Sequence, residues 1–327
     1  MTTMSYIEAV TAALREEMTR DERVFVMGED VGRRGGVFQA TKGLYEQFGA
    51  ARVLDTPLAE SGIAGVAIGA AMYGMRPVAE MQFADFMLPA VNQIISEAAK
   101  LRYRSNNDWS APLTIRAPYG GGVHGGLYHS QSLEALFANV PGLKIVMPST
   151  PFDVKGLLKA SIRSEDPVIF FEHKRAYRMI KGNVPDEEYV LPIGEADVKR
   201  EGSDVTVITY GLMVHFALQA AQTLEAEGIS VHVLDLRTVY PLDREAIGDA
   251  VSRTGKVLLL TEAPKTGSVL SEVAAIIAED CLFSLDAPVR RLASPDIPAM
   301  PYASALEMHY MIQQDDVTEA IRELAAF

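Results

Sequence analysis

The sequence predicts an α/β protein with two domains, and three observations support that prediction. Short apolar runs typical of buried strands alternate with longer amphipathic segments typical of helices, a pattern that favours right-handed crossovers and parallel sheets. A chain of 327 residues exceeds the roughly 250–300 residues at which single cores stop growing. A polar segment at 181–194, with two prolines and several acids, separates the halves. We therefore place residues 1–186 in one α/β domain and residues 187–327 in a second.

The N-terminal half is predicted to open with a helix and to continue as alternating strands and helices. Ser5 suits the N-cap of a helix of about 16 residues, in which apolar side chains recur at three- and four-residue spacing. The apolar run Val24–Met27 predicts a strand that leads into Glu29 and Asp30. Acids there lie where open α/β sheets bind ligands, although turn and capping roles explain either acid alone equally well. Further strands are predicted at 77–81, 113–117, 144–147 and 168–172, and helices at 41–48, at 88–100 and from 149 onward.

The segment Asp55–Met75 combines a proline turn, an acid at Glu60 and a run of small and apolar residues without another charge. A carboxylate before so apolar a segment is costly unless something uses it. Two interpretations stay open at this point: a buried functional carboxyl group, or a helix N-terminal acid stabilised by the macrodipole. The run is shorter than the roughly 20 residues that span a bilayer, so we expect a buried core helix. Its small residues, among them Gly62 and Gly65, would let another helix approach closely.

A long glycine-rich connection follows the strand predicted at 113–117. Residues 119–132 contain five glycines together with His124 and His129. Loops of this length with so many glycines are usually functional, because their backbone approaches another group closely. For His124, a loop histidine satisfied by the backbone is the simpler interpretation.

The C-terminal half alternates more regularly than the N-terminal half. Strands are predicted at 205–210, 231–236, 256–261 and 289–293, and helices at 214–227, 244–253 and 268–279. This order again favours a parallel sheet.

Composition excludes several classes of function. A formal net charge of −13 and an isoelectric point near 5.0 argue against a nucleic-acid partner, since such partners need clustered Lys and Arg. Cys281 is the only cysteine, which excludes an intrachain disulfide or a zinc site built from cysteines and fits a reducing cytoplasm. The first residues lack the pattern of a signal peptide. We expect a cytoplasmic protein without a membrane partner.

Eight ordered stretches of the chain resemble one family, the β subunits of the thiamine-diphosphate-dependent 2-oxo acid dehydrogenase complexes, which belong to the decarboxylating component. Two of them, QFADF and LYHSQS, resemble the branched-chain (2-oxoisovalerate) members more than the pyruvate members. The stretches are GEDVGRRGGVFQAT from Gly28, DTPLAESGI from Asp55, AEMQFADF from Ala79, AAKLRYRS from Ala98, GGGVHGGLYHSQS from Gly120, PSTPFDVKGLL from Pro148, EDPVIFFEHKRAYR from Glu165 and DLRTVYPLD from Asp235.

The resemblance implies a fold and an activity. The fold would be a pyrimidine-type thiamine-diphosphate-binding domain followed by a transketolase C-terminal-type domain, each with three layers. With an α subunit, the chain would decarboxylate a small 2-oxo acid oxidatively and transfer the acyl group to lipoyl groups of a dihydrolipoyl acyltransferase. A pyruvate dehydrogenase β subunit and a mainly structural scaffold subunit of such a complex are the alternatives. A single-chain synthase is disfavoured by the missing diphosphate motif described next.

The resemblance also implies roles for individual residues. Glu60 matches the acid that faces the aminopyrimidine ring and activates the cofactor, and His129 matches a histidine implicated in transfer to the lipoyl group. Cofactor-binding positions are Glu29, Leu58, Glu60, Gln82 and Phe86, the last standing where several branched-chain relatives have tyrosine. The family's GDG motif for the diphosphate is absent. We therefore expect an α subunit to supply the Mg²⁺ site, in a heterotetramer with two of each chain.

Two further expectations come from the resemblance. Some relatives hold a structural K⁺ at positions that match Ala111, Leu113, Thr114, Ser161, Ser164 and Asp166. The C-terminal domain is expected to serve assembly, through a contact between β subunits and the docking of the dihydrolipoyl acyltransferase core. An acidic chain complements a small basic partner domain.

Overall fold

The computed structural model describes all residues from Met1 to Phe327. They form two compact units, the first from residues 1–119 and 136–193 and the second from residues 120–135 and 194–327. The glycine-rich connection therefore belongs to the second unit, although the first unit precedes and follows it in the chain. The domain division predicted after residue 186 stays a prediction.

The first unit contains a parallel sheet of the kind the sequence predicts. The strands of this unit are β1 (Thr2–Ser5), β2 (Val24–Gly28), β3 (Val53–Asp55), β4 (Arg76–Glu80), β5 (Thr114–Tyr119), β6 (Lys144–Val146), β7 (Val168–His173) and β8 (Lys181–Val184). Six of them lie in the order β6-β7-β5-β4-β2-β3, and β1 pairs with β8 in a separate antiparallel ribbon. Every residue of β2, β4, β5 and β7 is buried. Continuous burial is expected of parallel strands covered by helices on both faces.

Two long helices of the first unit begin at a side-chain N-cap. They are α1 (Tyr6–Arg20), α2 (Leu44–Phe48), α3 (Glu60–Met72), α4 (Leu101–Arg104), α5 (Glu134–Ala138), α6 (Pro151–Arg163) and α7 (Ala176–Met179), with α5 continuing from the second unit into the first. Ser5 forms a capping box with Glu8 at the start of α1. Thr150 caps α6, and a proline occupies its first position, where no amide hydrogen is needed.

Two expectations about this unit are wrong in part. The regular helix predicted at 88–100 is a succession of 3₁₀ turns at Ala84–Ala90 and Ala98–Lys100 around a π turn at Gln93–Glu97. Pro89 lies inside the first turn, and a proline removes a hydrogen-bond donor there. The core helix predicted after Glu60 is α3, but only one face of it is buried, and the side chain of Val66 on the other face is 60% exposed.

The second unit is a five-stranded sheet with helices. Its strands are β9 (Asp197–Arg200), β10 (Val205–Thr209), β11 (Val231–Asp235), β12 (Thr238–Tyr240), β13 (Val257–Pro264) and β14 (Arg290–Ser294), of which β12 lies outside this sheet. The sheet has the order β14-β13-β10-β11-β9, in which only β9 is antiparallel to its neighbour. The helices are α8 (Met213–Glu225), α9 (Arg244–Thr254), α10 (Val269–Asp280), α11 (Ser304–Tyr310) and α12 (Gln314–Ala325). The four strands and three helices predicted for this half are all present.

Candidate functional site

Two acids lie at the carboxyl edge of the first sheet. Glu29 follows β2 directly, and Glu60 is the first residue of α3, which follows β3. Gly28 lets the chain turn here, since a Cβ at that position would lie 2.6 Å from the carbonyl oxygen of Glu80. Because the carboxyl ends of adjacent parallel strands meet at one edge, this is where ligands bind in open α/β sheets.

The environment of Glu29 favours a retained proton. Glu29 is buried, whereas Glu60 is half-buried. Burial raises the pKa of Glu29, and the nearby charges of Glu60 and Asp30 raise that pKa further. The carboxyl group of Glu60 has no hydrogen-bond or ion-pair partner within the chain. This edge of the sheet therefore offers a half-buried carboxyl group without a partner in the chain, beside a second acid whose pKa is raised.

The other predicted cofactor positions lie at the same edge of the sheet. Gln82 follows β4, the neighbour of β2, and is half-buried. The side chain of Leu58 is 79% exposed. Phe86 is half-buried, with its ring centroid 5.3 Å from that of Phe83 in a T-shaped contact. The set therefore offers two acids, one amide and apolar surface.

A buried ion network beneath this edge was not anticipated from the sequence. The fully buried guanidinium of Arg116 binds Glu80 and Glu172, each at 2.6 Å. The hydroxyl of Tyr177 donates to Glu172 at 2.5 Å. Burial raises the pKa of Glu80, and the charge of Arg116 opposes that rise. The available signal was an arginine inside an otherwise apolar strand, because a buried charge requires a partner.

His129 lies in a closed loop of the second unit, which we call the glycine loop and define as residues 120–132. The amide of Gly120 donates to the carbonyl oxygen of Gln131 at 3.1 Å and so joins the two ends. Gly125 permits close packing, since a Cβ there would lie 2.7 Å from the Cβ of His129. His129 itself is half-buried. The loop is thus compact around the histidine that the sequence singled out.

Three acids of the second unit accompany the glycine loop. Glu262 of β13 accepts a hydrogen bond from the amide of Gly121, and Glu307 of α11 lies 2.5 Å from Nδ1 of His124. The simpler interpretation of His124, satisfaction by backbone, is therefore incomplete. Glu134, just after the loop, accepts a hydrogen bond from the Tyr210 hydroxyl at 2.7 Å. Burial raises the pKa of Glu134 to about 7.

The positions predicted for K⁺ have mixed environments. The Thr114 hydroxyl is buried without a hydrogen-bond partner, as a cation ligand would be. The Asp166 carboxylate, in contrast, binds Arg102 at 2.6 Å and lies 3.4 Å from the Lys144 ammonium, which also donates to the Ser164 hydroxyl. The carbonyl oxygens of Ala111, Leu113 and Ser161 each accept one backbone hydrogen bond, which leaves a second lone pair on each. The backbone and Thr114 suit a cation, whereas the side chains of Ser164 and Asp166 are already engaged.

No group of three or more His, Cys, Asp or Glu side chains is arranged to hold a metal ion. No helix has both the length and the apolar character needed to cross a membrane.

Known protein families and proteins match this chain along its length. The transketolase pyrimidine-binding domain matches residues 2–179, and the transketolase C-terminal domain matches residues 194–317. The chain is 75% identical over 327 residues to the 2-oxoisovalerate dehydrogenase subunit beta of Bacillus subtilis (strain 168), covering 100% of both. It is 49% identical, with the same coverage, to the pyruvate dehydrogenase E1 component subunit beta of that organism.

A solved structure agrees with these matches. It is described as a split gene transketolase, inactive beta4 tetramer, and superposes with a TM-score of 0.81 at 25% identity, covering 99% of this chain and 98% of that one. The predicted fold class and the predicted resemblance are both confirmed. The chain belongs to the family of the β subunits of 2-oxo acid dehydrogenases, and within it is more similar to the 2-oxoisovalerate member than to the pyruvate member.

Proposed function

We propose that the chain is the β subunit of the decarboxylating component of a branched-chain 2-oxo acid dehydrogenase. With an α subunit it catalyses oxidative decarboxylation of the 2-oxo acid and transfers the acyl group to a lipoyl group of a dihydrolipoyl acyltransferase. The observation that carries this proposal is the 75% identity, over both full lengths, to a 2-oxoisovalerate dehydrogenase β subunit. Identity to the pyruvate enzyme is much lower, at 49%. The cytoplasmic location predicted from composition is part of the proposal.

The residues at the edge of the first sheet fit thiamine diphosphate. Glu60 offers a carboxyl group without a partner in the chain, and the buried Glu29 beside it has a raised pKa. In the proposed enzyme the Glu60 carboxyl group forms the hydrogen bond to the aminopyrimidine nitrogen, and the buried Glu29 lies beside it as a second acid with a raised pKa. Gln82, Leu58 and Phe86 would bind and orient the ring. When bound, the cofactor supplies the electron sink that lets the substrate lose its carboxylate as carbon dioxide.

The exposed face of α3 supports an α-subunit partner. This helix is apolar on all sides, a composition typical of helices that are buried all round. Here one face, including Gly62, Gly65 and Val66, is open to solvent in the isolated chain. Since the chain lacks a GDG motif, we assign the Mg²⁺ site to the α subunit and propose a heterotetramer with two of each chain.

Three finer roles belong to the same proposal. His129 acts in transfer of the acyl group to the lipoyl group, for which an imidazole that can donate or accept a hydrogen bond is suited. The second unit docks the acyltransferase core. A structural K⁺ at the six predicted positions stays a prediction, supported by the partnerless hydroxyl of Thr114 and opposed by the two cations at Asp166.

Replacement of Glu60 separates this proposal from a purely structural role. In the reconstituted heterotetramer, Glu60→Ala should abolish decarboxylation because the carboxyl group that binds the ring nitrogen is lost. The fold of the chain should be unchanged because Glu60 has no partner in the chain, and we expect the heterotetramer still to form. The measurements are release of carbon dioxide from 3-methyl-2-oxobutanoate and the mass of the complex. Turnover close to that of the unmodified enzyme would refute the role of Glu60 and favour a scaffold subunit.

A further inference from the structure

The glycine loop is fixed at two points by acidic side chains from distant parts of the second unit. The amide of Gly121 donates to Oε1 of Glu262 at 2.5 Å. Farther along the loop, the amide of His124 donates to Oε1 of Glu307 at 3.2 Å, and Nδ1 of the same histidine lies 2.5 Å from Oε2. A single carboxyl group thus binds both the backbone and the side chain of His124.

These contacts hold a stretch of the glycine loop whose backbone is strained. His124 has a φ of +55°, which is rare for a residue with a side chain and persists only where the surroundings enforce it. Its side chain is largely exposed, whereas the side chain of Glu307 is buried. A buried carboxyl group is costly unless hydrogen bonds satisfy it. Glu307 obtains those bonds from the glycine loop, so its burial and the conformation of the loop depend on each other.

Glu262 also binds the glycine loop. It is buried at the end of β13, and the loop amide that it binds belongs to a residue without a Cβ. A Cβ on Gly121 would lie 2.3 Å from the Met300 side chain and 3.5 Å from Oε1 of Glu262. A side chain at position 121 would therefore have to displace the end of the Met300 side chain, whereas its Cβ would make only an ordinary contact with the acid.

Glu134 is the third acid near the glycine loop and lies just after its end. It is buried beneath the Tyr210 hydroxyl, which is also 2.8 Å from the Thr261 hydroxyl. The groups that face Glu134 are thus the Tyr210 hydroxyl and the charge of Glu262, with burial as the main reason for its raised pKa. A proton on Glu134 removes repulsion from the acid that binds Gly121.

We infer that Glu307 and Glu262 are positioning residues for the glycine loop, so that the second unit sets the position of His129 in addition to serving assembly. The inference rests on the proposed function, because it assigns the consequence to the acyl-transfer step in which His129 acts. Neither acid is assigned to contact the substrate or the cofactor; each acts through the backbone or the imidazole that it holds.

The test compares Glu307→Ala and Glu307→Gln in the reconstituted heterotetramer. One assay follows acyl transfer to a purified lipoyl domain, and the other follows decarboxylation with an artificial electron acceptor. Glu307→Ala should lower kcat for transfer by roughly 10- to 100-fold, since a displacement of about 1 Å can cost that much. Decarboxylation with the artificial acceptor should stay within about twofold, and Glu307→Gln, which keeps an oxygen acceptor, should recover most of the transfer rate.

Controls distinguish failure of the inference from failure of the proposed function. The exposed acid Glu279, also in the second unit, serves as a matched control through Glu279→Ala. Unmodified enzyme without activity on branched-chain 2-oxo acids would refute the proposed function, and unchanged transfer in His129→Ala would refute the role of that histidine.

A structural readout tests the positioning claim independently of activity. Hydrogen exchange of amides 120–132 should be faster in Glu307→Ala and in Glu262→Ala than in the unmodified protein, and unchanged in Glu279→Ala. Unchanged exchange in the loop would overturn the inference. So would unchanged transfer in Glu307→Ala, or an equal loss in both activity assays.

Discussion

Glu134 is the residue whose ionisation should be most visible in the stability of the protein. Its pKa in the folded chain is about 7, against 4.5 for an unperturbed glutamate, because it is buried. A pKa raised by folding means that the folded state keeps the proton up to a higher pH than the unfolded state does. The contribution of this group is therefore fully favourable below about pH 4.5 and is lost as the pH rises to about 7.

The variant Glu134→Gln tests this pH dependence. The amide mimics the protonated acid and can still accept a hydrogen bond from Tyr210. The unmodified protein should lose up to about 3 kcal/mol of its free energy of unfolding between pH 4.5 and 7 through this group, and the variant should not. We expect the apparent Tm of the variant to fall less than that of the unmodified protein between pH 5 and pH 8. Glu279→Gln is the control, and parallel pH profiles for all three proteins would contradict the assignment.

Arg116 should be among the most sensitive positions for stability. Its removal leaves Glu80 and Glu172 buried without the cation that both bind. Breaking such a buried arrangement typically costs about 3–5 kcal/mol. Arg116→Met should therefore lower the apparent Tm strongly. Arg104→Met removes an exposed ion pair with Glu97 and should cost less than about 1 kcal/mol; similar losses in both variants would contradict the role of the network.

At the scale of elements, α3 makes the strongest prediction about assembly. Val66 lies on the exposed face of this helix, where a charge costs the isolated chain little but would be buried without a partner in a complex. We expect Val66→Glu to keep the Tm of the isolated chain and to abolish co-purification with the α subunit. Phe283→Glu, at a fully exposed apolar residue of the second unit, is the matched control.

Normal association of Val66→Glu with the α subunit would show that this face of α3 is not the contact surface. Loss of association in both variants would likewise remove the special role assigned to α3.

The same helix shows how far sequence reasoning reaches at this scale. Periodicity and the apolar run after Glu60 predicted the helix correctly, but a run that is apolar on all sides carries no information about which face a second chain covers. The segment at 84–104 was harder, since the switch between 3₁₀ and π turns follows from Pro89 and tertiary packing and not from a propensity. Terminal elements such as α11 and α12 were not predicted, and α11 carries Glu307.

For the whole molecule, the two-domain α/β architecture and the family followed from ordered motifs spread along the chain. Glu29 was singled out because acids after strands mark ligand sites in such sheets, and Glu60 because it precedes a long apolar run and matches the family's cofactor-activating acid. The acids that bind the glycine loop could not be predicted from the sequence. Glu262 and Glu307 are distant in sequence from Gly121 and His124, and only the fold brings them together. The roles assigned to Glu60, His129 and the cofactor-binding residues stay predictions until variants are measured.

The central claim is that this chain serves a branched-chain 2-oxo acid dehydrogenase, and substrate preference of the complete enzyme tests it most directly. The measurement is kcat/KM of the reconstituted heterotetramer for 3-methyl-2-oxobutanoate and for pyruvate, with lipoyl domain as acceptor. Since the two substrates differ by two methyl groups, a pocket that binds the branched chain should favour the first by more than roughly 10-fold. A strong preference for pyruvate would contradict the account.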